Sequence, residues 1–101
     1  MFVIREVMNC KPGKVGELKK KFKALGSVME RMGFAPFRLM TDVSGERYWT
    51  LVAEQEVETL DAYTEMSRQT MSDPEMQSIM KGYHDLVQEG HREIYMIEGK
   101  A

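Results

Sequence analysis

The triplet Tyr83-His84-Asp85 holds the side chains best suited to proton transfer in this sequence of 101 residues. An imidazole titrates near neutrality and can take a proton from an acidic hydroxyl or carbon. Consecutive helical residues point about 100° apart, so adjacency alone does not gather the three into a cluster. A histidine at the border of an apolar helix face is the more ordinary outcome, and the catalytic reading has to be weighed against it. His91 follows Gly90 at a helix-to-strand corner and reads as a surface residue. The two histidines lack H-E-x-x-H spacing, and the single cysteine, Cys10, excludes an internal disulfide and a cysteine-rich zinc site. No metal is expected. Cys10 itself has no neighbouring base in the sequence to activate it and reads as inert.

Lys11-Pro12-Gly13-Lys14 runs straight into a lysine-rich segment, which raises the question of a phosphate or nucleic-acid site. Composition argues against it. The chain carries 14 basic and 16 acidic side chains for a formal charge of −2, so no sustained positive field exists to hold a polyanion. A G-x-x-x-x-G-K-[ST] pattern is missing, and Lys11, Lys14, Lys19, Lys20, Lys21 and Lys23 read as the solvated face of one amphipathic helix. Nucleic acid is therefore not an expected partner. Neither is a membrane, since no apolar run approaches spanning length, and the lack of a signal-type opening makes a reducing, cytoplasmic setting the expectation.

The elements that must position these residues are legible from periodicity. Phe2–Met8 is rich in β-formers and ends at the turn cluster 9–13. Val15, Leu18, Phe22, Leu25, Met29 and Met32 recur at steps of three and four until Gly33, which predicts a long helix with one buried stripe. Pro36–Val43 and Arg47–Glu54 read as a hairpin joined by Ser44-Gly45-Glu46. A second helical stretch from about Val57 carries Leu60, Tyr63, Met66 and Met71 and is interrupted at Ser72-Asp73-Pro74-Glu75, where Ser72 and Glu75 have capping-box spacing. A further helix then carries Met76, Ile79, Met80, Tyr83 and Leu86 until Gly90, and Arg92–Glu98 reads as the last strand.

The order β-α-β-β-α-β predicts a single α+β domain over residues 1–101: a ferredoxin-like four-stranded antiparallel sheet with its helices on one face. The second face would carry Val3, Val7, Met40, Tyr48, Val52, Tyr95 and Ile97, too much apolar surface for solvent, so the expected partner is a second copy of the chain. Arg5, Arg38, Asp42, Glu54 and Glu93 share that face, and burial there demands that they pair. On the helix side Trp49 should sit with Leu51 and Ala53. Trp49, Tyr63, Tyr83, Met66 and Met80 are the residues expected to line a ligand pocket between sheet and helices, and methionine suits both an adaptable pocket and a loose core.

The Lys-Pro-Gly-Lys turn, the following Val-Gly-Glu-Leu-Lys-Lys-Lys-Phe and the βαββαβ length together resemble the dimeric α+β-barrel superfamily, with closest likeness to its NIPSNAP-like and antibiotic-biosynthesis-monooxygenase-like groups. That resemblance implies a homodimer with its sheets packed face to face and a pocket between sheet and helices within each subunit. It implies either a small-molecule-binding or accessory protein with an apolar or aromatic ligand, or a monooxygenase that needs no cofactor because its aromatic or polyketide-like substrate supplies the anion. In the second case His84 would accept the proton, and Tyr63, Tyr83 or Trp49 would orient the substrate. Haem-degrading relatives present an Asn on strand one, a Trp late in the second helix and a following His. Here Gln69 and Ile79 fall near the last two places and Asn9 only at the strand end, so haem is not an expected cofactor.

Overall fold

The computed structural model describes every residue, Met1–Ala101. Strand β1, Phe2–Cys10, ends at Gly13, whose φ of 77° makes the left-handed corner that Lys-Pro-Gly-Lys requires. Helix α1, Val15–Arg31, follows and buries Leu18, Phe22, Leu25 and Met29 of the predicted stripe together with Val28, while Val15 and Met32 at the stripe's ends are half-buried. Its end is a Schellman closure: Phe34 N–H donates to Met29 O at 2.8 Å and Gly33 N–H to Glu30 O at 3.0 Å, with Gly33 at φ 88°.

The two hairpin strands are shorter or later than their composition suggests. β2 is only Arg38–Thr41 and β3 is Thr50–Val57, so the connection runs from Asp42 to Trp49 instead of closing tightly at Ser44-Gly45-Glu46. Trp49 takes φ 61°, a left-handed value that extended backbone cannot contain, and pairing therefore starts one residue after it. Helix α2 spans Leu60–Met71 behind the Thr59 cap, whose hydroxyl accepts Ala62 N–H at 3.0 Å. Helix α3 spans Pro74–Met80, and its cap is Asp73, accepting Met76 N–H at 3.1 Å. With Pro74 at the first helical position, Asp73 rather than Ser72 occupies the capping place, and the Ser72 hydroxyl turns back to the carbonyls of Arg68 and Gln69.

The helix expected to run to Gly90 breaks earlier. Gly82, at φ 83°, separates α3 from the short α4, Tyr83–Leu86, and β4 occupies Val87–Met96. Gly90 lies inside β4, where an added Cβ would meet the Tyr83 hydroxyl at 3.5 Å and Val7 O at 3.6 Å. It serves close approach of α4 to the sheet, not helix termination.

The strands pair antiparallel in the order β2-β3-β1-β4, with the helices on one face: a ferredoxin-like α+β fold. Met8 and Cys10 of β1 and Leu51 and Ala53 of β3 cluster with α1 there, and Ile4, Leu18, Met29 and Leu51 are fully enclosed. Each such aliphatic side chain contributes about 1.5–3 kcal/mol by leaving water. Lys21 does not belong to a solvated face as its neighbours suggest. Its ammonium donates to Ile79 O at 3.0 Å and Lys81 O at 2.6 Å, closing the end of α3 against α1. At the other end of α3, Arg31 bridges to Asp73 at 3.2 Å and Glu75 at 3.3 Å. No helix is long and apolar enough to cross a membrane.

Candidate functional site

Because Gly82 turns the chain abruptly, α4 lays Tyr83 and His84 beside β1 and β4, and a cleft of about 380 Å³ opens there. Glu6, Met8, Gln88 and Arg92 complete its working surface. The Tyr83 and His84 rings meet edge to face with centroids 5.2 Å apart, so adjacency in sequence does become contact here. Burial, reinforced by the nearby Glu6 carboxylate and Cys10, pushes the Tyr83 phenol above its ordinary range. At neutral pH it is a hydrogen-bond donor. Glu6 and Arg92 are cross-strand partners in the β1–β4 register and form an ion pair that, with the hydrogen bond foremost, raises the guanidinium pKa. Arg92 also lies under the Tyr63 ring of α2, 5.5 Å from its centroid.

Tyr63 therefore meets Arg92, Arg92 pairs with Glu6, and Tyr83 and His84 line the same cleft as that pair. Met66 is buried, and Met80 packs with Tyr83 against the core cluster of Leu18, Phe22 and Leu25. Trp49 stands apart: it is 45% exposed on the other side of β1 from the cleft, because its left-handed backbone turns it out of the strand face that Leu51 and Ala53 share. The structure brings His84 and Tyr83 together, sets Tyr63 against Arg92 outside the cleft lining, and leaves Met66, Met80 and Trp49 out of that lining as well. Glu6 and Arg92 escaped sequence reasoning, although a charged pair at alternating positions of two β-rich segments was the available signal. The arrangement can hold a small aromatic molecule with an anionic or hydroxyl group. Arg92 and Tyr83 supply donors and His84 an acceptor.

The face of the sheet turned away from the helices is a second candidate surface. Arg38, Glu54, Arg5 and Glu93 are directly opposite one another across β2, β3, β1 and β4, so charge alternates along a row spanning the whole sheet. Arg38 pairs with Glu54, Arg5 lies 3.3 Å from Glu54 and 3.6 Å from Glu93, and His91 Nε2 lies 3.0 Å from Glu93. The next row is Met40, Val52, Val7 and His91, three of them apolar. His91 is thus a mid-strand residue on this face and not a corner residue, since β4 begins five residues before the expected Arg92. Its hydrogen bond is the first cause holding the Glu93 carboxyl below its usual range, and Arg47 does the same for Glu89. Alongside Arg5, Asn9, Asp42, Thr50 and Glu89, these groups line a polar concavity of about 500 Å³.

Neither a family model nor a characterised protein matches the sequence itself. Solved structures do match its shape. An uncharacterised NIPSNAP-like domain protein from Burkholderia xenovorans aligns over 99% of this chain and 87% of its own, with 16% identity and a TM-score of 0.83. A NIPSNAP family protein of unknown function from Agrobacterium tumefaciens covers 94% of this chain and 86% of its own, at 19% identity and a TM-score of 0.80. The fold is that of the NIPSNAP-like structures. It extends to a provisionally assigned antibiotic biosynthesis monooxygenase from Nitrosomonas europaea, at 14% identity, a TM-score of 0.73, and 98% and 100% coverage of the two chains. Identities this low carry the NIPSNAP-like architecture and no residue's role.

Proposed function

We propose that the protein is a homodimer, open sheet face against open sheet face, that binds an aromatic small molecule in the cleft of Tyr83, His84, Glu6 and Arg92. The convergence of a neutral phenol donor, a guanidinium and an imidazole beside an apolar wall of Met8 and Val87 carries the binding reading. The dimer rests on the other face. Its charged row is already neutralised in pairs within one chain, which lowers the cost of covering it, and the Met40-Val52-Val7 row gives a second copy apolar surface to bury. Mixed signs in one row also suit an isologous contact, in which a patch must complement itself. The test has two arms: sedimentation at micromolar concentration, where a monomer of 11.7 kDa would refute the dimer, and titration with aromatic phenols or acids against wild type and Arg92→Gln, where equal affinity would refute the cleft.

A second reading is favoured by the same donors. In a monooxygenase without cofactor, His84 accepts the proton of a phenolic or carbon acid, while Arg92 and Tyr83 stabilise the anion that then meets dioxygen. The Nitrosomonas europaea neighbour lends this reading its chemistry. Oxygen consumption with quinol or anthrone-like substrates decides between the two. Turnover lost in His84→Ala while binding persists supports catalysis, and absence of turnover in the wild type leaves a binding protein.

A further inference from the structure

Trp49 is the only tryptophan and the only non-glycine residue with positive φ. Left-handed backbone costs a bulky L-residue roughly 1–2 kcal/mol, a cost that glycine would avoid. Trp49 does not recover that cost by burial, being 45% exposed, and Tyr48 beside it is 85% exposed. The backbone around it is held from both sides. Cys10 N–H donates to Trp49 O at 2.8 Å, and Thr50 N–H donates to Asp42 Oδ1 at 2.8 Å. The two rings are thus presented by a braced segment, and strain of this kind accumulates where a clamp is pre-set.

They face a concavity of about 550 Å³ whose opposite wall is the first two turns of α1. Val15 supplies apolar surface there, and Gly16 leaves open space, since a Cβ on it would meet nothing within 4 Å. Lys14 is paired with Glu17 and Lys21 is consumed in closing α3, whereas half-buried Lys19 turns to this concavity. Asp42, on the sheet side, already accepts the Thr50 N–H, and its charge keeps an anionic group toward the Lys19 end. We infer that Tyr48, Trp49 and Lys19 form a second binding site, separate from the Tyr83–His84 cleft, that takes a flat aromatic carboxylate: the ring against Trp49 and Tyr48, the carboxylate on the Lys19 ammonium.

The sole tryptophan makes the test direct. The full chain is titrated with 4-nitrobenzoate and, separately, with uncharged 4-nitrobenzyl alcohol, following the Trp49 indole N–H resonance and the quenching of its fluorescence. Saturable binding of the carboxylate is expected, about tenfold tighter than the alcohol, a charge-assisted hydrogen bond's worth. Lys19→Gln should remove that preference while leaving alcohol binding and the melting temperature unchanged, and Gly16→Leu should fill the space and weaken both probes. Equal affinity for the two probes, or an unaltered preference in Lys19→Gln, overturns the assignment. So does an indole shift that follows protein concentration instead of probe, which would give the surface to a second copy of the chain.

Discussion

The same four strands make both faces of the sheet, yet the faces meet the problem of burial in opposite ways. Toward the helices, Ile4, Met8, Leu51 and Ala53 are apolar and enclosed within one chain. Away from them, Arg38, Glu54, Arg5 and Glu93 alternate in charge and pair laterally, with Arg5 Nε buried and without a hydrogen-bond partner, beside an apolar row left partly open. The first face is closed by packing over β1 and β3, while Ile94 and Met96 on β4 stay exposed. The second is neutral but uncovered, and in the proposed dimer its cross-strand pairing would prepare charge for burial before the partner arrives.

The contrast is broken most severely from the closed side. Leu51→Ala removes a side chain with no exposure and should cost about 2–5 kcal/mol of unfolding free energy in urea melts. Lys21→Met leaves two carbonyls at the end of α3 without their donor and should cost about 1.5–3 kcal/mol, with hydrogen exchange accelerating first in α3 and α4. On the open side, Val52→Asp should alter chain stability by less than about 1 kcal/mol yet raise the dissociation constant of the proposed dimer at least tenfold in sedimentation. Loss of folding there would mean that the face belongs to the monomer's core.

The smallest effect is electrostatic. Glu65 accepts from Arg68 and Gln69 on the surface of α2, which brings its pKa down to about 2 from an ordinary 4.5. A depressed carboxylate contributes stability that is whole above the unfolded value and is lost as pH falls through the folded one. Melting temperature should therefore decline between pH 4.5 and 2, and Glu65→Gln should flatten that decline slightly, because solvent screens an exposed pair.

Much of this contrast was legible in the sequence because alternation survives errors of strand boundary. β3 starts three residues later than Arg47, yet Thr50, Val52 and Glu54 keep the face that their parity assigns. What parity cannot register is a single residue of opposite hand, so Trp49 was placed with Leu51 and Ala53 although φ 61° takes it out of the strand. Glycine is ambiguous in the same way. Gly90 looks like a helix stop but answers to the Tyr83 hydroxyl across the sheet, while the real break falls at Gly82. Tertiary contact decided which glycine ended the helix. The candidate cleft was half visible for that reason: Tyr83 and His84 are neighbours in sequence, whereas Glu6 and Arg92 join them through pairing across 86 positions.

The central place of β1, between β3 and β4, has a consequence for the chain as it is made. β1, one of the two strands that need partners on both edges, leaves the ribosome before either neighbour, and the later of them, β4, begins at Val87. At ordinary synthesis speeds of 5–20 residues per second, roughly 4–15 s separate the two strands. For that interval β1 offers a free hydrogen-bonding edge to other nascent chains. Arg5 and Glu6 interrupt its apolar run at mid-strand, so the residues that later organise the open face and the cleft also guard the unfinished sheet against aggregation.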